Sequence, residues 1–324
     1  MPLANREMTQ KLQDIFHRPG LTVVPGGATP YHAIMAERAG YEAFYISGSM
    51  SHRWLIGQPD SGQLTPTEFA DNGRRIANVV NIPVFSDADT GGGSAVNAYR
   101  TVKEYIRAGL AGCHIEDVQF PKGITTAGQS YGAIGGHSNA RLINLEEAVL
   151  KLKAAVAAKN ELDPNFVLIA RTDGRNAIGA GFDEAVRRAQ AYEQIPGVDV
   201  IMFDGMNTWD ECREANKTVK LPAFHTGTLF GNLRDAQGKL LPLPTVEQRT
   251  KDGEKIYMLI GAALQPGDQA AWEMLTGIRK RGTLALDEWR WGHDQRPPDE
   301  RIPTDLIPTH GSDFWNTYLP PRTD

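Results

Sequence analysis

Short β-rich runs recur along this chain at 21–25, 43–48, 83–89, 112–117, 166–172, 198–204, 221–227 and 255–261. Helical patterns separate them at 31–39, 66–80, 95–109, 145–160, 183–195, 209–219 and 246–251, and another at 268–281 follows the eighth run. Such alternation calls for parallel strands joined by crossover helices. Phe166-Val167-Leu168-Ile169-Ala170 is apolar without a break, as a strand covered on both faces must be. Eight units predict a (β/α)8 TIM barrel. A doubly wound sheet is the alternative, weakened because no Gly-x-Gly-x-x-Gly follows the first run. Thr65-Pro66-Thr67-Glu68 and Asn144-Leu145-Glu146-Glu147 supply helix caps with acidic residues in the first turn.

Three regions break the alternation. Residues 1–20 predict a helix that closes the barrel bottom, and 118–143 form a long glycine-rich loop of the kind that serves as a lid. Residues 284–324 begin with a short helical pattern and turn Pro-rich. The domain expectation is a catalytic barrel over 1–283 and an extension over 284–324 that packs on the barrel or a neighbouring subunit.

The net charge of −5, with no Lys/Arg run longer than three residues, argues against nucleic acid and anionic membrane as partners. No apolar run approaches a membrane span, and the N-terminus lacks a signal-peptide pattern. Cys113 and Cys212 make no disulfide framework and read as reduced core residues. A cytoplasmic location fits, and an organelle matrix fits as well.

Acidic clusters stand where the strands run out: Ser86-Asp87-Ala88-Asp89, His114-Ile115-Glu116-Asp117, and Asp60 in the loop after the second run. Carboxylates at apolar strand ends are costly unless a cation meets them. Oxygen ligands converging from separate loops suit a hard divalent ion, Mg²⁺ first, with Mn²⁺ the other candidate. Asp87, Asp89, Glu116 and Asp60 are therefore the candidate metal ligands. In a TIM barrel the C-terminal strand ends carry the chemistry, which is where these acids fall.

Ser47-Gly48-Ser49 offers backbone amides to a developing oxyanion, or is an ordinary tight turn. Arg171 ends the fifth strand, and its planar fork matches a carboxylate or a phosphate. An internal salt bridge is the plainer use of the same arginine. His225 ends the seventh strand and is expected to face substrate. Lys122 and His137 flank the glycine-rich loop as candidate catalytic groups, and Tyr45 either offers its hydroxyl to substrate or fills core. His114 reads as a core histidine.

Taken together, Ile46-Ser47-Gly48-Ser49, Pro59-Asp60, Ser86-Asp87-Ala88-Asp89-Thr90-Gly91, Gly112-Cys113-His114-Ile115-Glu116-Asp117 and Ala170-Arg171-Thr172-Asp173 resemble the isocitrate lyase/phosphoenolpyruvate mutase superfamily, in its order and spacing over roughly 10–285. The resemblance implies a barrel assembled as a tetramer, a dimer of dimers that exchanges a C-terminal helix. It implies Mg²⁺ near Asp87, with Asp60, Asp89 and Glu116 acting largely through waters. It implies a 2-oxo- or 2-hydroxycarboxylate held by Ser47, Gly48 and Arg171, and a distal carboxylate near Thr226 and Thr228. Lyase members carry a Lys-Lys/Arg-Cys-Gly-His run in the lid. Here Phe120-Pro121-Lys122 resembles its start and Gly135-Gly136-His137 its end, with glycine in the cysteine's place.

The function expected is a Mg²⁺-dependent C–C lyase acting on a 2-oxo or 2-hydroxy di- or tricarboxylate through an enolate-like intermediate. Lys122, His137 or Tyr131 stands in for the cysteine acid. The long lid favours retro-aldol cleavage over oxaloacetate-type decarboxylation. P–C mutase or hydrolase chemistry on a phosphonopyruvate-type substrate is a further alternative, and a non-catalytic barrel that binds a dicarboxylate is the remaining one.

Overall fold

The computed structural model describes residues 6–122, 140–206, 208–226, 242–262, 264–303 and 305–306. Eight strands form one parallel sheet: β1 (Thr22–Gly27), β2 (Phe44–Ile46), β3 (Val84–Asp87), β4 (Gly112–Ile115), β5 (Val167–Thr172), β6 (Val200–Asp204), β7 (Ala223–Thr226) and β8 (Ile256–Leu259). Their spatial order is β7-β6-β5-β4-β3-β2-β1-β8. Lys255 draws the two ends together. Its N–H donates to the Ala223 carbonyl at 3.1 Å, and its own carbonyl accepts from Thr22 N–H at 3.0 Å. The result is a nearly closed (β/α)8 barrel, as the alternation predicts.

The helices are α1 (Arg6–His17), α2 (Pro30–Arg38), α3 (Gly48–Ser51), α4 (Pro66–Ala77), α5 (Ala95–Ala108), α6 (Leu145–Leu162), α7 (Phe182–Glu193), α8 (Trp209–Thr218), α9 (Val246–Lys251), α10 (Gln265–Arg281) and α11 (Leu284–Asp294). Thr65 and Glu68 form a reciprocal capping box at α4, and Asn144 caps α6. α3 was not expected. It runs into a single π-helical stretch, His52–Ile56, that ends at Gly57 in the left-handed region (φ 64°). Nine helical residues are too few to carry an amphipathic period, so the segment reads as loop in sequence.

Side-chain parity sorts the strands into two layers. Phe44, Ile46, Cys113, Leu168, Ala170, Ile201 and Phe203 pack outward beneath the helices. Tyr45, Phe85, Val167, Ile169, Met202 and Phe224 fill the barrel interior. α1 adds Leu12, Ile15 and Phe16 to that inner layer, at the end where Ala43, Ala111 and Ile256 begin their strands. Phe16 stands 6.1 Å from the rings of both Phe85 and Phe224, so the N-terminal helix plugs the barrel bottom as expected. Full burial of one such ring is worth about 1.5–3 kcal/mol. Cys113 and Cys212 are both free and buried, and burial pushes the Cys113 thiol far above its ordinary range.

Residues 1–265 form one compact unit and 266–324 a second. In the second, Gly282 (φ 64°) turns the chain between α10 and α11, and Arg281 pairs with Glu288 at 2.6 Å. α10 buries no side chain, and Trp272, Leu275, Trp289 and Trp291 are all exposed. Among the described residues no helix is long and apolar enough to cross a membrane.

Candidate functional site

The inward columns of the strands change character at their C-terminal ends. Tyr45 gives way to Ser47, Phe85 to Asp87, His114 to Glu116, Ile169 to Arg171 and Asp173, Met202 to Asp204, and Phe224 to Thr226. A two-residue step keeps the same face, so polar groups from six strands meet above an apolar floor.

Asp87, Asp89 and Glu116 are all buried, and each offers an oxygen within 4.8 Å of the others. Asp87 Oδ1 accepts the Asp89 N–H at 2.8 Å, and Asp89 adopts a left-handed φ of 47° that turns its carboxylate back toward the cluster. Gly48 lies against Asp87 so closely that a Cβ there would overlap the carboxylate. Only glycine can occupy that position beside the acid. Asp60 reaches the same place from its loop. Lys122 Nζ lies 2.6 Å from Asp89, 2.9 Å from Asp60 and 3.3 Å from Glu116.

Arg171 forks onto Asp173 through Nε at 2.9 Å and Nη2 at 2.7 Å. Its Nη2 is also 3.4 Å from both Glu116 and Asp204, and the Thr226 hydroxyl donates to Asp204. Salt bridge and substrate grip are thus compatible roles, because none of these bonds uses Nη1.

The electrostatics follow from burial. Desolvation opposes charge on Asp89, and the neighbouring carboxylates add to it, so its pKa is raised well above the usual range despite Lys122. Desolvation also opposes charge on Asp87, but the His114 ring and the Lys122 and Arg171 cations outweigh it and hold this acid low. Burial works against the Lys122 ammonium, and Asp60, Asp89, Glu116 and Asp87 overcome that and hold it protonated. Desolvation lowers His114 to about 4. Its ring is therefore neutral near pH 7, with Nε2 2.8 Å from Tyr45 Oη and Nδ1 3.5 Å from Asp87. Tyr45 is buried among the inner residues, with its hydroxyl against His114.

These residues fit a divalent metal ion. Lys122 and Arg171 carry two positive charges against the five carboxylates they touch. The buried Asp89 Oδ2 has no hydrogen-bond partner among the described residues. The nearby donor set of Asp87, Asp89 and Glu116 is all oxygen, which suits a hard cation.

Other expected residues fall differently. Ser47 Oγ caps α3 by accepting from Met50 N–H at 3.3 Å and lies 3.1 Å from Ser49 Oγ, so it sits beside Gly48 with part of its bonding capacity used. His225 does not face the barrel mouth. It has the outward parity of β7, lies 2.8 Å from Asn216 Oδ1 and stacks on Phe203. One residue of register separates it from Thr226, which does point inward. His137, Tyr131 and Thr228 lie outside the described residues. Asp204 and Asp173 both continue inward columns and stand against Arg171. His52, fully buried 3.8 Å from Asp60, carries no sequence signal.

His225 yields a pH prediction. Desolvation, then Arg249, depresses its pKa to about 3. The unfolded chain binds a proton near 6.5 that the folded chain refuses, so stability present above that pH is lost as pH falls toward 3. His225→Gln should lose less unfolding free energy than the parent between pH 7 and 4, by on the order of 3 kcal/mol. Urea unfolding at the two pH values measures this, and parallel losses would refute it.

The family model for phosphoenolpyruvate phosphomutase matches residues 12–232. A 2-methylisocitrate lyase from Aeropyrum pernix is 35% identical over 84% of this chain and 80% of its own. A 2,3-dimethylmalate lyase from Eubacterium barkeri is 32% identical over 85% and 87%. Among solved structures, oxaloacetate acetylhydrolase in complex with the product oxalate superposes with a TM-score of 0.73 at 27% identity, covering 92% of each chain.

Proposed function

The chain belongs to the isocitrate lyase/phosphoenolpyruvate mutase superfamily of enzymes, and from that premise we propose that it is a Mg²⁺-dependent C–C lyase for a 2-oxo or 2-hydroxy di- or tricarboxylate. The observation that carries this reading is the buried Asp87–Asp89–Glu116 group with Arg171 Nη2 3.4 Å from Glu116. It supports a dication and a substrate carboxylate bound side by side.

Asp87, Asp89 and Glu116 would hold the ion, with Asp60 and Lys122 against them, and Mn²⁺ could serve in its place. When bound, the metal supplies Lewis-acid stabilisation of charge on a substrate oxygen. Arg171, locked by Asp173, fixes the orientation of the substrate carboxylate. Backbone amides at Gly48 and Ser49, in the first turn of α3, would be the donors for the oxygen that gains negative charge, in an enolate-like electron distribution, as the C–C bond breaks. Lys122 keeps its proton at Nζ and adds positive charge beside that oxygen. Thr226, through Asp204, lines the side where a distal carboxylate would lie.

A second reading, cleavage of oxaloacetate itself, rests on the overlap with oxaloacetate acetylhydrolase along 92% of the chain. The two separate in one assay. Methylisocitrate, 2,3-dimethylmalate and oxaloacetate are offered with Mg²⁺, with EDTA, and with Mn²⁺ after EDTA, and phosphonopyruvate is included to detect P–C chemistry. Turnover of a methylated acid should fall at least about 100-fold on chelation and return with either metal. Turnover indifferent to EDTA would end the proposal, and activity confined to oxaloacetate would favour the second reading. The assembly proposed is a homo-oligomer closed over the exposed apolar residues of α10 and α11, checked by its mass in solution. The reduced cysteines suit the cytoplasm.

A further inference from the structure

After Ser47 the chain leaves the barrel, forms α3 and the π-helical stretch, and returns with Asp60 before Leu64. His52 lies inside this excursion, fully buried. Its Nδ1 stands 2.9 Å from the Gly48 carbonyl oxygen, which can only accept, so Nδ1 carries the hydrogen. The Leu64 N–H donates to Nε2 at 3.1 Å. Both ring nitrogens are thus bonded to backbone, one at each end of the excursion. Neither remains for a metal ion, although Nδ1 is 3.8 Å from Asp60 Oδ1 and Nε2 is 4.0 Å from Asp89 Oδ2. The His52 carbonyl also accepts the Gln58 N–H at 3.1 Å, two residues before Asp60, and Phe69 closes the ring from the side at 5.9 Å.

Asp60 must be delivered from a loop into a cluster that already holds Asp89 and Glu116, against like-charge repulsion. Lys122 offsets part of that repulsion at 2.9 Å, but a loop free to relax would let Asp60 move away from Asp89. We propose that His52 is a positioning residue. By tying Gly48 to Leu64 it holds Asp60 beside Asp89 and thereby sets the affinity of the cluster for its divalent cation. This inference rests on the metal-site reading above.

The test uses the whole chain and reads Mn²⁺ binding by electron paramagnetic resonance, without substrate. Four proteins are compared: parent, His52→Gln, Asp60→Asn and the double variant. Loss of a group that orients a ligand weakens metal binding by about 10–100-fold. His52→Gln should therefore raise the Mn²⁺ dissociation constant at least about 10-fold in the parent background. It should change it less than about 2-fold once Asp60 is Asn, because the group it acts through is gone. Equal weakening in both backgrounds, or none in either, would overturn the proposal while parent binding stands. A parent that binds no Mn²⁺ would overturn the metal-site reading and this inference together. His52→Asn, which keeps a donor for the Gly48 carbonyl, replaces His52→Gln if that variant does not fold.

Discussion

Asp87→Asn should lower kcat/KM by at least about 10³-fold while leaving the barrel folded. The magnitude combines a weakened cation site with loss of the charge stabilisation that a single preorganised group supplies in such sites, about 10²–10³-fold. Asp87 is held low while Asp89 is raised, so of these two carboxylates Asp87 is the one charged at neutral pH. Stability should fall as well, by less. Asp87 is 2% exposed, yet its neighbours outweigh desolvation and hold its carboxyl low. A carboxylate whose folded pKa is depressed adds stability at neutral pH, and the amide gives that up. The variant should therefore melt below the parent temperature. Steady-state kinetics across Mg²⁺ concentrations and a thermal melt make the measurement. A variant that keeps more than about a tenth of the parental activity would remove Asp87 from the centre of this account.

Arg171→Met should damage both fold and function. Its guanidinium is buried and faces Asp173, Glu116 and Asp204 at 2.7–3.4 Å. Deleting one partner of a buried pair strands the other, at a cost of about 3–5 kcal/mol. In the proposed reaction the substrate carboxylate would lose its guanidinium donor at the same time, so KM should rise at least about 10²-fold. Arg171→Lys returns the charge without the planar fork, and should recover stability more than substrate affinity. Urea unfolding of the three proteins, with KM measured on whichever acid is turned over, separates the two effects. Parental stability in Arg171→Met would show that another group balances these acids.

Legibility of this molecule followed periodicity. A barrel strand alternates inward and outward, so the polar residue two places beyond an inward apolar one is committed to the mouth. Asp87 after Phe85 and Arg171 after Ile169 follow that rule, Glu116 continues the inward column of His114, and each was visible as a charged residue where a β-rich run stops. His225 shows the limit of counting strand ends without counting parity. One position separates a side chain aimed at the mouth from one bonded to Asn216. The Ser47–Leu64 excursion was illegible for another reason. Its order comes from a single imidazole bridging backbone groups sixteen residues apart, and no local pattern announces a contact of that kind.

The alternation of strands and helices, the N-terminal plug and the gathering of acids at one rim are properties of the linear chain, because burial and two-residue parity act locally and repeat. Which carboxylate stays charged, where Lys122 comes to rest and how Asp60 is held are properties of the assembled barrel alone. Each depends on Coulomb fields and hydrogen bonds between residues far apart in sequence, whose strength is set by how much water the packed structure excludes.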